Sequence, residues 1–464
     1  MSIIIIGLGP GDASLLTGEA QELLESAEEI HLRTRRHPTV ASLPSHLRTH
    51  SFDHLYESED EFSGVYERIA DQIMELGRRP EGVLYAVPGH PLVGEESVQR
   101  ILEIAKERDV EVRIVPGLSF IEAALVCLDI DPLNGLQIVD ATVLAESLHP
   151  NLDPDLPALV GQLYSRRVAS EAKLTLMNLY PAEHPVTVLR ALGTPQANTE
   201  QVLLYELDHL QDIDHLSSLF VPSLPKPSSV ATFHDIVARL RAPGGCPWDR
   251  EQTHQSLRQH LLEETYEVLQ ALDEEDDEAL REELGDLLLQ IILHAQIAVE
   301  EGSFTLAQVL ETIIEKIIRR HPHVFAGLDV ADADEVLRNW QAIKRQEKAE
   351  KEDKPLWDMP LSLPALTLAQ RAQERMKRES LPLPTRDELL QNIRRRLDQI
   401  GQLQDEGTAE REIGRLLFAL ADLSRHLGVD AESALRTTTI RFGDQVAEAR
   451  SRKRDSEDQT HPSG

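Results

Sequence analysis

The sequence predicts a multidomain protein in which an N-terminal α/β domain is followed by an all-α helical half. In residues 1–222, short apolar β-like runs alternate with helical stretches. The runs expected to form strands are residues 3–6, 83–87, 112–115, 174–177 and 186–188. After residue 230, amphipathic helical periodicity continues towards the C-terminus without a further strand pattern. A chain of 464 residues has room for two or three domains with separate cores.

Two segments without periodicity predict the domain limits. Residues 221–229, VPSLPKPSS, contain three prolines and are typical of a linker. Residues 348–364 form a second polar stretch punctuated by prolines, which divides the helical half. We therefore predict domains at residues 1–222, 223–347 and 348–464, the last of which ends in a polar tail.

The charge balance restricts the classes of partner. The chain carries 80 acidic and 47 basic residues, a net charge of −33, which argues against nucleic acid and against an anionic membrane surface. A phosphate ligand would need a local basic patch or a metal ion. Cys127 and Cys246 are the only cysteines, so no disulfide framework or zinc site is indicated. The apolar run at residues 3–6 is too short for a signal peptide or membrane span, and we expect a cytoplasmic protein.

Five carboxylates at helical spacing form the most informative pattern of the helical half. Glu263, Glu264 and Glu267 lie in LLEETYEVL, and Glu283 and Asp286 lie in EELGDLLL. At about 3.6 residues per turn, each segment presents one acidic face. These faces interrupt otherwise apolar helices, where core residues would be expected.

A turn near Glu275 would bring the two acidic faces to the same height, because Glu267 and Glu283 each lie eight residues from it. Neighbouring carboxylates resist joint ionisation, and a hard divalent cation bound through oxygens relieves their repulsion. We therefore predict a Mg²⁺ site. Its expected ligands are Glu264, Glu267, Glu283 and Asp286. The alternative is a solvated acidic surface, which is the simpler interpretation of residues 273–277.

Glu263 is turned about 100° away from its neighbour Glu264 on the helix. It is a candidate for orienting or deprotonating an attacking water molecule. A structural carboxylate would give the same pattern, so both interpretations stay open at this point.

A basic cluster follows in KIIRRHPHVF. Lys316, Arg319 and Arg320 fall within little more than one helical turn, so their charged ends can converge on phosphate groups. The alternative is a basic helix end favoured by the helix dipole. His321 and His323 flank a proline, and we interpret them as helix-ending and packing residues rather than metal ligands.

Trp340 lies in the polar segment LRNWQAIKRQEK. A large aromatic side chain on a polar helix is consistent with stacking on a nucleobase, which would discriminate little among bases. Core packing is the alternative.

The helical half contains a weak internal repeat. The Glu283-Leu-Gly-Asp286 pattern recurs as Glu412-Ile-Gly-Arg415, and the segment upstream of the second copy lacks an EExxE pattern. The second copy is therefore degenerate and cannot form the same carboxylate site.

Three glycine- and proline-containing loops follow predicted strands near the N-terminus, at residues 7–12, 88–93 and 116–120. Bare backbone in such loops can approach a ligand closely. A nicotinamide-binding fingerprint is disfavoured because Asp12 stands where its third glycine is expected.

In this order, the three loops resemble the tetrapyrrole (corrin and porphyrin) methylase family over about residues 1–222. The resemblance implies an α/β fold that binds S-adenosylmethionine in a cleft between two subdomains. The family typically has Gly-Asp-Pro where this chain has Gly89-His90-Pro91, so the methyl acceptor is left open. The residues implied to line the cofactor site are Gly9, Pro10, Gly89, His90, Val93, Pro116 and Ser119.

From residue 230 onward, the chain resembles the MazG nucleoside triphosphate pyrophosphohydrolases. The resemblance rests on GCPWD at residues 245–249, on the two carboxylate patterns and on KIIRRHPHVF. It implies a helical bundle that hydrolyses nucleoside triphosphates to monophosphate and pyrophosphate with Mg²⁺, or Mn²⁺. It also implies catalytic roles at the triphosphate for Lys316, Arg319 and Arg320, and it favours base stacking by Trp340. The catalytic role of Glu263 rests on its position beside the carboxylate cluster.

A methylase-like domain joined to a MazG domain is itself a known family arrangement. A homodimer is the simplest way to complete the bundle, although the degenerate repeat could supply the partner within one chain. Two alternatives remain for the main function: methyl transfer to a tetrapyrrole-type acceptor, and non-catalytic sensing of nucleotides.

Overall fold

A run of four isoleucines near the N-terminus forms the central region of a parallel sheet. The computed structural model describes residues 2–58, 62–349, 363–400 and 406–458. Ile3, Ile5 and Ile6 are buried, as expected for a strand covered by helices on both faces. The sheet has the order β3-β2-β4-β1-β5, and every pairing in it is parallel. Its strands are β1 Ile3–Gly7, β2 Glu29–Leu32, β3 Arg48–Ser51, β4 Val83–Val87 and β5 Val112–Val115.

Helices cover this sheet and supply its core. Ile69 and Ile73, together with Val98 and Ile101, pack against the strands from two neighbouring helices. The helices of this part are α1 Gly18–Ser26, α2 Asp53–Ser58, α3 Phe62–Leu76 and α4 Glu96–Glu107.

A second sheet follows, in which only the β6–β7 pairing is parallel. Its order is β6-β7-β10-β8-β9. Its strands are β6 Gln137–Asp140, β7 Ala158–Gly161, β8 Pro185–Arg190, β9 Asn198–Leu203 and β10 Ser217–Val221. The helices that accompany it are α5 Phe120–Leu128, α6 Ala141–Glu146, α7 Arg166–Leu176, α8 Val230–Arg241 and α9 Pro247–Glu251. Short 3-10 helices occur at Ala13–Leu15, Pro38–Ser42, Pro132–Asn134 and Leu204–His209.

The strand predicted at residues 174–177 is wrong, because α7 extends through most of this segment. Ser165 caps the helix by accepting the N–H of Val168 at 3.3 Å. Buried residues then recur at helical spacing, including Ala172 and Leu176. A short apolar run has no period that separates a strand from a buried helix end. The prediction also missed β2, β3, β6, β7, β9 and β10, which have only four to six residues each.

The proline-rich segment 221–229 is anchored to the N-terminal unit. The carboxylate of Asp155 accepts the backbone N–H of Ser228 at 2.7 Å and that of Ser229 at 3.2 Å. Ser229 in turn caps α8 by accepting the N–H of Thr232 at 2.9 Å. The segment therefore leads into α8 through a defined set of hydrogen bonds.

The chain divides into two units, and the division falls between Arg250 and Glu251. The predicted limits at residues 222 and 347 remain predictions. The second unit is helical. Its helices are α10 Arg258–Glu274, α11 Asp277–Glu300, α12 Leu306–Arg320, α13 Pro322–Phe325, α14 Ala333–Ala349, α15 Ala365–Arg378, α16 Arg386–Ile400, α17 Glu406–His426 and α18 Ala431–Asp458.

Helices α10 and α11 form the predicted hairpin, with its turn at the predicted residue. Glu275 ends α10 in the left-handed conformation, with φ of 54°. Asp276 then caps α11 by accepting the N–H groups of Glu278 and Ala279, both at 3.0 Å. Helices α16 and α17 form a second hairpin, against which α15 packs.

Helix α12 has a largely uncovered apolar face. None of its residues, all of which are described, is buried, although half of them are aliphatic or alanine. Within the described part of the chain, no helix combines the length and apolar content needed to cross a membrane. The exposed large apolar residues of α12 are Val309, Leu310, Ile313, Ile314, Ile317 and Ile318.

We predict that Asp155→Ala loosens the start of α8. Two backbone N–H groups lose their acceptor, so amide hydrogen exchange at Ser228 and Ser229 should accelerate about fivefold, the factor expected for losing a hydrogen bond of about 1 kcal/mol. Asp235→Ala, which removes an exposed carboxylate from α8 itself, serves as the control. Unchanged exchange at both serines in Asp155→Ala would contradict the anchoring role.

Candidate functional site

Three carboxylates meet between α10 and α11. Glu264, Glu267 and Glu283 each present an oxygen, and these oxygens all lie within 4.8 Å of one another. Ligand oxygens around Mg²⁺ lie about 2.0–2.1 Å from the ion, and therefore at most about 4.2 Å apart. A small contraction of the three side chains would therefore suffice to coordinate one ion. The donor set consists only of carboxylate oxygens, which suits a hard divalent cation.

The electrostatics of this cluster disfavour ionisation of all its carboxyl groups at once. Partial burial is the largest cause that raises the pKa of Glu264, followed by a hydrogen bond with Glu267 and the charges of its acidic neighbours. Partial burial and the charges of Glu267, Asp286 and Glu282 likewise raise the pKa of Glu283. A bound cation would reverse these shifts, since it favours the ionised form of each carboxyl group.

Asp286 lies at the edge of this cluster rather than in it. The three-oxygen group does not include Asp286. Its charge is nevertheless close enough to raise the pKa of both Glu264 and Glu283. The structure therefore brings three of the four predicted metal ligands together and places the fourth beside them.

Glu263 points away from the cluster and has partners on its own helix. Its Oε1 accepts a hydrogen bond from Nε2 of Gln259 at 2.9 Å, and its Oε2 lies 3.5 Å from Nδ1 of His260. Both partners precede it by one helical turn or less. To reach a water molecule at the cluster, Glu263 would have to leave these contacts.

The basic cluster at the end of α12 is paired with a residue that sequence reasoning missed. Arg319 Nε donates to Glu347 at 2.8 Å, and Nη2 of Arg320 donates to the same carboxylate at 2.6 Å. The hydrogen bond from Arg320 is the largest cause that lowers the pKa of Glu347 to about 2. Lys316 lies one turn earlier on the same helix and is half-buried.

Trp340 belongs to this basic patch. The guanidinium carbon of Arg320 lies 5.5 Å from the centre of its ring, and Nζ of Lys344 lies 4.6 Å from it. These are cation–π distances. Trp340, Lys344 and Glu347 lie at helical spacing on one face of α14, so the sequence places Glu347 beside Trp340 but does not show that it pairs with α12.

The histidines near this patch end a helix, as predicted. Helix α12 stops at Arg320, and Nδ1 of His321 lies 2.7 Å from the carbonyl oxygen of Ile317. A second histidine pair was not predicted: Nδ1 of His254 lies 2.8 Å from Nδ1 of His294, with the rings stacked. Burial is the main cause that lowers the pKa of His294, followed by the charge of His254.

The three N-terminal loops converge at the carboxyl ends of β4, β1 and β5, which are adjacent in the sheet. Gly9 and Gly89 exchange two backbone hydrogen bonds, of 3.3 and 2.9 Å. A side chain at Gly7 would lie 2.7 Å from the backbone nitrogen of Gly117. Thr17 donates its hydroxyl to the carbonyl of Pro116 at 3.1 Å. Such an edge of an open α/β sheet is a usual place for a ligand.

His90 and Ser119 shape these loops. Nδ1 of His90 accepts the N–H of Leu92 at 3.0 Å, and the carbonyl of His90 accepts the N–H of Val93 at 3.0 Å. Ser119 caps α5 by accepting the N–H of Ile121 at 3.0 Å. The ring of His90 therefore stabilises the turn at residues 90–93 by accepting a backbone N–H group. Pro10 lies against Gly193, where an added side chain would collide with the proline ring.

Comparison with protein families assigns both parts of the chain. The model of the tetrapyrrole (corrin/porphyrin) methylases matches residues 2–208. The model of the MazG nucleotide pyrophosphohydrolase domain matches residues 252–325. Residues after 325, including the second repeat, lie outside both matches.

Several relatives share these parts. YabN of Bacillus subtilis is 38% identical over 449 residues, which cover 95% of this chain and 91% of YabN. The nucleoside triphosphate pyrophosphohydrolase/pyrophosphatase MazG of Thermotoga maritima is 42% identical over 207 residues, covering 45% of this chain and 80% of that protein. The nucleoside triphosphate pyrophosphohydrolase of Escherichia coli K12 is 42% identical over 214 residues, covering 45% and 81%.

Among solved structures, uroporphyrin-III C-methyltransferase from Thermus thermophilus, complexed with S-adenosyl homocysteine, is similar to the N-terminal part. It is 19% identical, with a TM-score of 0.37, and the match covers 48% of this chain and 97% of that one.

We predict that Glu347 titrates far below its ordinary range. Because its pKa is lowered from 4.5 to about 2, its ion pairs with α12 are present above about pH 4.5 and are lost as the pH falls towards 2. The carboxyl ¹³C shift of Glu347, followed against pH, measures this. Arg320→Gln should return the pKa towards 4.5 and Arg319→Gln should do so less, whereas an ordinary pKa in the unaltered protein would contradict the pairing.

Proposed function

The chain belongs to the family of Bacillus subtilis YabN and combines a tetrapyrrole methylase domain with a MazG domain, and we propose that it hydrolyses nucleoside triphosphates to monophosphate and pyrophosphate. The observation that supports this most directly is the meeting of Glu264, Glu267 and Glu283. These carboxylates would be of little use to the fold alone, since partial burial and their mutual repulsion raise the pKa of Glu264 and of Glu283.

The reaction adds the oxygen of water to the α-phosphorus and breaks its bond to the oxygen that bridges to the β-phosphorus. Pyrophosphate leaves, and the proton lost by the water passes to a base. Glu264, Glu267, Glu283 and Asp286 would hold Mg²⁺, or Mn²⁺, which would neutralise phosphate charge. In our proposal, Glu263 leaves Gln259 and His260 to orient the water or accept its proton.

The basic end of α12 binds the phosphates that the metal site leaves uncovered. In the structure, the carboxylate of Glu347 forms ion pairs with the guanidinium groups of Arg319 and Arg320. A triphosphate presents the same kind of oxygen acceptor with more charge, and it would displace Glu347 from these arginines. Lys316 adds a third positive charge. Trp340, next to Arg320, would stack on the base.

The convergence of the N-terminal loops supports a second binding function. We propose that they bind S-adenosylmethionine, which supplies a methyl group in this fold class, and that Gly9, Pro10, Gly89, His90, Val93, Pro116 and Ser119 line the site. Transfer of that methyl group to a corrinoid or porphyrin precursor would favour the methyltransferase alternative. Binding without transfer would favour a sensor.

The uncovered apolar face of α12 supports a homodimer. Six large aliphatic side chains on one helix are exposed in the single chain, and burying them against a second copy would complete a bundle. The cytoplasmic location expected from the sequence remains a prediction.

We predict that Glu267→Ala or Asp286→Ala reduces Mg²⁺-dependent pyrophosphate release by at least 100-fold, because each removes a ligand or a neighbouring charge from the metal site. Pyrophosphate release from a panel of canonical and modified nucleoside triphosphates measures this. Glu274→Gln is the control, since Glu274 lies on the same hairpin and, among the described residues, accepts a hydrogen bond from Gln270 alone. Full activity in the two alanine variants, with folding intact, would refute the assignment.

We predict that Gly7→Ala weakens S-adenosylmethionine binding at least tenfold, because the added methyl group would force the three loops apart. Titration calorimetry on the full chain measures the affinity. Gly18→Ala is the matched control, since a side chain there meets nothing within 4 Å. Equal affinities for Gly7→Ala and the unaltered chain would exclude the loops as the binding site.

A further inference from the structure

The second helical hairpin repeats the first one at a constant offset. Glu412 and Gly414 of α17 lie 129 residues after Glu283 and Gly285 of α11. At this offset, Glu267, Glu283 and Asp286 correspond to Arg396, Glu412 and Arg415, whereas Glu264 corresponds to the buried Ile393. Two acidic positions of the first hairpin are thus occupied by arginine.

The arginines replace a cation in this second hairpin. Arg396 forms an ion pair with Glu412 across the two helices, and Arg415 donates to the same carboxylate at 2.6 Å. The hydrogen bond from Arg415 is the largest cause that lowers the pKa of Glu412, with Arg396 adding to it. In the first hairpin, the repulsion among carboxylates would be relieved by a metal ion. In the second hairpin, guanidinium groups balance the charge of Glu412 instead.

Glu412 does not use all the hydrogen-bond donors of these guanidinium groups. Arg415 has 58% of its side chain exposed, whereas Glu412 has 16%. Nε of Arg396 is buried and has no hydrogen-bond partner among the described residues. Arg411 is exposed and has neither an ion pair nor a hydrogen bond among the described residues. The buried Nε of Arg396 is a donor that a network serving stability alone would not leave unused, because buried polar groups are normally hydrogen-bonded.

A cavity of about 470 Å³ opens beside these groups. Arg396, Arg411 and Arg415 line it together with Asn392, while Leu389 and Phe418 supply apolar surface. This volume and this mixture of apolar walls with a few polar groups are typical of small-molecule sites. Asp422 also lines the cavity, but its carboxylate is paired with Arg425 at 2.6 Å.

The charge distribution along the chain favours an anion here. Residues 363–464 contain as many basic as acidic residues, although the whole chain has a net charge of −33. An anion approaching this part of the chain therefore meets no excess of negative charge on the segment that forms the cavity.

We propose that this cavity in the second repeat binds a nucleoside monophosphate without a metal ion. Arginine forks bind phosphate oxygens through paired hydrogen bonds, and the surface around Phe418 accepts the base. The degenerate repeat thereby becomes a ligand site distinct from the metal-dependent one. The inference does not require the first repeat to be catalytic.

Titration calorimetry of the full chain with uridine monophosphate in excess EDTA tests this proposal. Uridine avoids the adenosine group of S-adenosylmethionine, and EDTA removes metal-dependent binding. One binding event is expected, and inorganic phosphate should bind at least tenfold more weakly. Absence of binding by uridine monophosphate at millimolar concentration would overturn the proposal.

Variants locate the site. Arg411→Gln should weaken binding at least tenfold without affecting folding, because Arg411 has no partner to lose among the described residues. Arg394→Gln, an exposed arginine on α16 outside the cavity lining, should bind like the unaltered chain. Binding that survives Arg411→Gln but disappears in Arg319→Gln/Arg320→Gln would assign the ligand to the first repeat and refute the proposal. Metal-dependent pyrophosphate release by Arg411→Gln is a separate readout of the first repeat.

Discussion

Repulsion among Glu264, Glu267 and Glu283 is the constraint on which the helical unit depends. The hairpin brings their oxygens within 4.8 Å of one another, and burial and mutual charge raise the pKa of two of them. Local backbone features impose this approach. Glu275 reverses the chain in the left-handed conformation, and Asp276 caps the helix that returns. The hairpin thus holds these carboxylates close together against their mutual repulsion. A bound divalent cation would relieve this repulsion.

The two hairpins differ in how the negative charge of their acidic residues can be balanced. Where the first presents carboxylates to a metal ion, the second places Arg396 and Arg415 around Glu412. A guanidinium group carries its charge permanently, so the second hairpin needs no metal to be stable. The change also replaces negative charge on this face with positive charge, which in our proposal suits an anion rather than a cation.

In the N-terminal unit, the candidate binding site depends on close contact between backbone segments. Gly7 and Gly117 allow loops from adjacent strands to meet where side chains would collide with backbone atoms. His90 stabilises its own loop by accepting the N–H of Leu92. This use of the imidazole explains how a histidine is accommodated in that turn. The proline-rich segment that follows is held by Asp155, so the end of the α/β unit is as well defined as its sheet.

The sequence by itself determined the features that depend on local spacing: the central strands, the two acidic helix faces and the turn at Glu275. Helical periodicity and capping act within a few residues, so they can be read without the fold. Residues 174–177 were predicted wrongly because a short apolar run has no such period. Tertiary structure alone decided that Glu347 neutralises Arg319 and Arg320, that Glu263 faces its own helix and that three distant loops meet. These contacts join residues far apart in the chain, or choose among rotamers, and only packing selects them.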